Sequence, residues 1–296
     1  MADSNELIKN KTRIFNLSAS AYSVNYSGTL LSDGLFVIPN FIKQGGNVDH
    51  TYVSVTHAEV PNSFYLINQY NNTININNIN YFIPPGNYNV RTLIDALLII
   101  LPSEFDLTFS QVYQKITVLS TTAFTIYYDS STINRVMGLS RSENMVGLFA
   151  IDIYAAELPN VVNFLPTARL NFRCDSLHLE NFHINDGSSD VLLSLQNNAP
   201  PNGVITYTNN DGLKFHIDLE MVNELHIRLT DDSNRLIDMN GISWFITLRV
   251  DYEYKIKIEK NSFSNIIKLN NDLNYKNLPE DITDNTNDTD NKFINK

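Results

Sequence analysis

Cysteine is all but missing from the chain: Cys174 stands alone among 296 residues. An intramolecular disulfide and a thiolate zinc cluster are therefore excluded. Long apolar runs are missing too. The longest, "ALLIIL" from Ala96 to Leu101, falls far short of the ~18 residues of a membrane span. The first residues, "MADSNELIKNKTR", contain no apolar signal core, so synthesis in the cytoplasm is expected and the Asn16 and Asn25 sequons read as chance in an Asn-rich chain. Basic charge is scarce, with 21 Lys and Arg against 32 Asp and Glu and a net charge of −11. Residues 263–296 hold six of the acidic and four of the basic side chains, so the deficit lies in the body, with 26 against 17. Such a balance opposes sequence-independent binding to a phosphate backbone, which depends on clustered cations releasing counterions. Nucleic acid is thus an unlikely primary partner.

Catalytic signatures are equally sparse. The chain has no G-x-S-x-G elbow, no phosphate-cradling glycine loop, no H-E-x-x-H and no C-x-x-C. In "HLENFHIND", His178 and Glu180 would share a strand face while His183, at an odd offset, would point away, so these residues are expected to line a strand rather than hold a metal. In "DDSNRLIDMNG", Asp231, Asp232, Asn234 and Asp238 offer oxygen donors. The glycine that an EF-hand loop needs at its sixth position is absent, so the stretch reads as an inter-strand loop. Lys255, Lys257 and Lys260, diluted by Glu253 and Glu259, read as a solvated strand face. Cys174 reads as a buried thiol with no nearby His to activate it, and Trp244 as a core or interface anchor. No residue qualifies as catalytic, cofactor-binding or metal-ligating, and no cofactor is expected; the reading is of a protein that is not an enzyme.

What is present is β pattern. "YVSVTHAEV" sets Val53, Val55 and His57 on one side and Tyr52, Ser54 and Thr56 on the other. Leu225, Ile227 and Leu229 alternate with His226, Arg228 and Thr230, and Trp244, Ile246, Leu248, Val250, Tyr252 and Tyr254 alternate with polar or aromatic neighbours. Turn clusters fall at Asn185-Asp186-Gly187, Pro200 to Gly203, Asn209 to Gly212, Asp231 to Asn234 and Asn240-Gly241. That spacing is how an all-β sandwich or barrel reads, and Asn210-Asp211-Gly212 predicts a hairpin turn. One helix interrupts it. Asn89 is placed to cap it, Pro102 ends it, and Val90, Leu93, Ile94, Leu97, Leu98 and Leu101 form one apolar face. "FDLTFSQVYQKITVLSTTAFTIYYD" reads as a small antiparallel meander, and "SSTINRVMGLS" as a short helix capped by Ser130 or Ser131 and stopped by Gly138. The expected organisation is one β-sandwich domain over 1–262, with a small α+β insertion over 86–165 and a polar C-terminal tail over 263–296.

Four stretches carry a resemblance. They are "YVSVTHAEVPNSFYLIN", "NYFIPPGNYNVRTLIDALL", "FTIYYDSSTINRVMGLS" and "LHIRLTDDSNRLIDMNGISWFITLRVDYEY", which together span roughly residues 50–258. In this order the chain is similar to the penton, or vertex capsid, proteins of small double-stranded DNA viruses of the virophage and polinton kind. The resemblance implies a single jelly roll of two four-stranded sheets, assembled as a homopentamer at icosahedral vertices. It implies the major capsid protein and minor capsid proteins as partners, and the virion as the location after synthesis in the host cytoplasm. The alternative is a lectin-like or viral receptor-binding β-sandwich module, because the jelly roll serves those functions too.

Overall fold

A computed structural model describes residues 6–45, 47–165, 167–179 and 190–257. The tail over 263–296, Lys260, the Asn185 turn, Glu180 and His183 lie outside the described residues.

In chain order the first strands are β1 (Glu6–Ser18), the short β2 (Val24–Asn25), β3 (Asp33–Lys43) and β4 (Val48–Pro61). There follow β5 (Thr73–Ile76), β6 (Ile79–Phe82), helix α1 (Val90–Ile100), β7 (Phe105–Ser110), β8 (Lys115–Ser120), β9 (Thr125–Ile126), helix α2 (Asn134–Met137), β10 (Met145–Val146), β11 (Leu148–Ala150) and β12 (Ile153–Glu157). The last are β13 (Arg169–Cys174), β14 (Val191–Gln196), β15 (Val204–Thr208), β16 (Phe215–His216), β17 (Met221–Thr230) and β18 (Phe245–Lys257).

Two antiparallel sheets make the sandwich, one ordered β1-β18-β4-β15 and the other β14-β13-β17-β3-β2. Apart from β2, and with β16 continuing the line of β15 along β4, the chain changes sheet at every connection but β13–β14. That order is a jelly roll. The two inner faces follow from the period-two alternation. Ile246, Leu248 and Val250 of β18, and Leu225, Ile227 and Leu229 of β17, are all fully buried in one apolar cluster. Trp244 closes its centre, with Phe172, Tyr22 and Phe36 edge-on at 4.9, 5.8 and 6.2 Å. Its indole N–H is satisfied by the Leu31 carbonyl at 2.8 Å, as a buried Trp requires.

The alternation of β4 departs from expectation at His57. Opposite the Thr247–Leu248 step the register skips Thr56, a bulge that reverses the phase of the strand. The buried set therefore runs Val53, Val55, then Ala58 and Val60, and His57 turns outward to Glu59, 3.0 Å away.

A second apolar cluster gathers Leu93, Leu97 and Leu101 at α1 with β-strand residues such as Ile74, Ile116, Val118 and Ile126. The chain reaches it directly from Pro61 and returns at Arg169. Leu66, Ile67, Ile74, Ile76 and Ile83 already belong to it, upstream of the expected start at residue 86. The Pro84-Pro85-Gly86 break is an internal turn there, anchored by paired backbone bonds between Gly86 and Ile67. Helix α1 starts as expected: the Asn89 side chain accepts from Thr92 N–H while the Thr92 hydroxyl accepts from Asn89 N–H, each at 3.0 Å. Two sheets accompany it, β10-β9-β5-β6 and β11-β12-β8-β7. The predicted meander is thus split, since β7 and β8 pair with each other but β9 crosses to β5.

Two further local expectations are corrected. Helix α2 has Ile133 at its N-cap and no side-chain cap, because the Ser131 hydroxyl donates to the Tyr127 carbonyl and accepts from Asn75 N–H instead. Its stop at Gly138, with φ of 82°, is as expected. Asn210-Asp211-Gly212 makes no hairpin, for the strands on either side of it, β15 and β16, both pair with β4. It is a protrusion in an edge strand.

Candidate functional site

The residues singled out for chemistry are absorbed by structure. His178 is not on a strand: it follows a 3-10 turn, Asp175–Leu177, at φ of 47°, exposed to solvent. Asp231 accepts from the backbone N–H groups of Ser233 and Arg235 at 2.8 and 3.0 Å and from the Arg235 guanidinium. Asp238 accepts from Asn240 N–H at 2.8 Å. These carboxylates brace their own loop rather than converge on a vacant centre. Among the described residues no group of three or more His, Cys, Asp or Glu is placed to hold a metal ion. Lys255 pairs with Asp49 at 2.9 Å. Cys174 is buried, and burial, aided by the charges of Asp175 and Asp190, pushes its thiol up to about 12.

Polar side chains on the sandwich are similarly engaged. His226 lies between Asp33, 2.6 Å from its Nε2, and Asp175, about 3.2 Å from its Nδ1. Asp190 bridges Arg228 and the fully buried Arg173 at 2.6 and 2.7 Å. These contacts tie β17 and β13 to their neighbours.

What remains uncovered is apolar. From Val146 to Ile151 the chain reads V-G-L-F-A-I without a charge, and Val146, Leu148, Phe149 and Ile151 are 55, 73, 64 and 94% exposed. Second in this run, Gly147 lies against the Phe124 ring, where a Cβ would meet a ring carbon at 2.5 Å. Strand β11 then forms the outer edge of its sheet, paired among the described residues only with β12, with Phe149 beside Tyr154 at 5.1 Å. An open apolar edge strand invites pairing or docking.

The turn joining β11 and β12 is also strained. Ile151 and Asp152 have φ of 45° and 69°, the left-handed pair of a tight hairpin turn that favours Asn or Gly. Hairpin β5–β6 makes the same kind of turn with Asn77 and Asn78, at φ of 53° and 64°. A β-branched residue there is unfavourable, and burial cannot compensate because the Ile151 side chain is in solvent.

A groove lies at the other end of this sheet. It encloses about 880 Å³ between the end of α2 with its following loop and residues 160–165. Gly138 allows the two walls to meet: a Cβ there would fall 2.3 Å from the Asn160 carbonyl oxygen, and Asn160 N–H donates to the Gly138 carbonyl at 3.0 Å. Val161 and Leu165 expose apolar surface into solvent, at 57 and 71%. Arg135 and Arg141 line the groove, and neither guanidinium has an ion pair or hydrogen bond among the described residues.

No family model and no curated protein matches the chain. Solved virophage structures do. The crystal structure of the selenomethionine-labelled mavirus penton protein aligns over 84% of this chain and 100% of its own, at 11% identity and a TM-score of 0.41. A chain of the Sputnik virophage cryo-EM structure aligns over 83% of this chain and 98% of its own, at 12% identity and a TM-score of 0.37.

Sequence reasoning passed over both hairpin and groove. The uncharged run from Val146 was a readable signal for the first, but an apolar edge looks the same as a buried strand until its neighbours are known. The groove joins residues about twenty positions apart and carries no local signal.

Proposed function

We propose that this chain is a capsid protein that forms homopentamers at the vertices of an icosahedral virion, with the major capsid protein and minor capsid proteins as its neighbours. The carrying observation is the jelly-roll strand order, β1-β18-β4-β15 against β14-β13-β17-β3, with a long excursion between β4 and β13. A closed ring needs two different patches on each subunit, related by a rotation that divides a full turn. The apolar hairpin and the basic groove are two such patches. Fixed ion pairs on the sandwich and carboxylates turned into their own loops favour a structural role over turnover.

The acidic body makes subunits repel one another, so the ring is weak in dilute solution and strengthens as salt screens that repulsion, unless charges within the interface are complementary. Contacts with neighbouring capsomers supply the remaining stabilisation. Particle imaging tests the reading. Density for this chain at five-fold vertices is expected; its presence in the faces of the shell, or as a trimeric spike, would overturn the vertex assignment. Saturable sugar binding by an isolated monomer on a glycan array would instead favour a lectin-like module.

A further inference from the structure

The hairpin and the groove sit at opposite ends of one sheet. Register places the β11–β12 turn near Ser120, since Tyr154 pairs with Ser120 and Glu157 with Thr117. The groove segment returns to the other end, where Val162 N–H donates to the carbonyl of Gln114 in the β7–β8 turn at 2.9 Å. A subunit therefore cannot fill its own groove, because the extended β12 (Ile153–Glu157) holds the two apart by roughly 17 Å at the rise of a strand.

The two patches complement one another. The tip offers an exposed Ile151 and Phe149 with the anionic Asp152 beside them, and the groove offers exposed Val161 and Leu165 with Arg135 and Arg141. We infer that the Val146–Ile153 hairpin of one subunit seats in the groove of a second copy of this chain, with Ile151 against Val161 and Leu165 and Asp152 on the two guanidinium groups. This deepens the ring reading and rests on it. The contact is head-to-tail, the class of interface that closes into rings. It also accounts for the turn, where strain at an exposed position persists because the conformation serves the docked state. Carboxylate–guanidinium pairing gives this contact direction, for the two guanidinium groups orient the anionic tip within the groove.

The test uses the full chain carrying Ile151→Cys and Val161→Cys, with an oxidant, at the highest soluble concentration. Cys174 is buried and stays silent. A disulfide needs Cα atoms within about 7 Å, so docking yields interchain bridges and no intrachain one. Expected is a ladder under non-reducing conditions that ends at the pentamer. Only monomer, or capture exclusively through one of the two cysteines, overturns the inference. The charge-swap variants Asp152→Arg and Arg141→Asp should each weaken association at least ten-fold in sedimentation, and the double swap should restore most of it. Singles within two-fold of the parent chain, or a double variant no better than the singles, overturn it. Circular dichroism melts confirm that each variant is folded. Five-fold vertices without the bridge would sink the hairpin contact alone. A ladder running past five would sink the pentamer and keep the contact.

Discussion

Replacing Leu248 by Ala tests where the stability of the sandwich resides. Leu248 is fully buried on β18, opposite Phe15 of β1 and Val55 of β4. Removing its outer carbons forfeits roughly 2 kcal/mol of transfer free energy at about 0.8 kcal/mol per buried CH₂. The cavity term adds to this wherever the surroundings cannot collapse. Collapse is resisted here because β18 is hydrogen-bonded to a strand on each side over most of its length. The expected loss is therefore about 3–4 kcal/mol, in the middle of the large-to-small range. Urea unfolding followed by the fluorescence of Trp244 reads it directly, since this single Trp sits in the same cluster. With a urea slope of roughly 2–3 kcal/mol per molar, the midpoint should fall by about 1–2 M. Ile14→Ala on β1, at a position 64% exposed, is the control and should stay within about 0.5 kcal/mol. Losses below about 0.5 kcal/mol at both Leu248 and Ile246 would refute the assignment of inner and outer faces.

Three more outcomes follow from named contacts. Gly138→Ala should cost at least about 2 kcal/mol, the sum of left-handed strain and the clash with the Asn160 carbonyl, and hydrogen exchange should rise first in residues 158–165. Asn89→Ala removes the side-chain half of the α1 cap and should cost about 1 kcal/mol in thermal melts, an effect that Asn89→Asp should largely avoid. Cys174 should resist thiol reagents at pH 8 until the protein unfolds; rapid native labelling would contradict its burial. Its thiol keeps the proton up to about 12 when folded but loses it near the usual 9.0 when unfolded. The unfolded state is therefore the one that gains from deprotonation, so this contribution to stability is intact below pH 9 and declines between pH 9 and 12.

Much of the fold was legible because its signals are local. The alternation through Leu225–Leu229 and Trp244–Tyr252 needs only a period of two and one buried face, and both strands form as read. Helix α1 was equally open to reading, since Asn89, the leucine stripe and Pro102 act within a few residues of one another. The burial of Cys174 was legible too, from its place among strand residues. Sequence alone also determined the all-β class and the acidic balance of charge.

Tertiary structure decided whatever depends on a partner distant in the chain. The bulge at Thr56 exists because β18 sets a register that β4 must meet, so His57 changes face without any local cue. β15 and β16 act as one line because β4 pairs with both, which turns an apparent hairpin into a protrusion. β9 leaves β8 for β5, and the excursion from the sandwich begins at Pro61 rather than at the Pro-Gly turn. Arg173 is buried because Thr230 of β17 and Asp190, just ahead of β14, converge on it at 2.9 and 2.7 Å. The hairpin and the groove belong to this second kind. An apolar run becomes a surface only when the sheet ends beside it, and a groove exists only once Gly138 lets Asn160 approach. Local preference acts over a few residues, whereas exposure is set by which long-range pairings close.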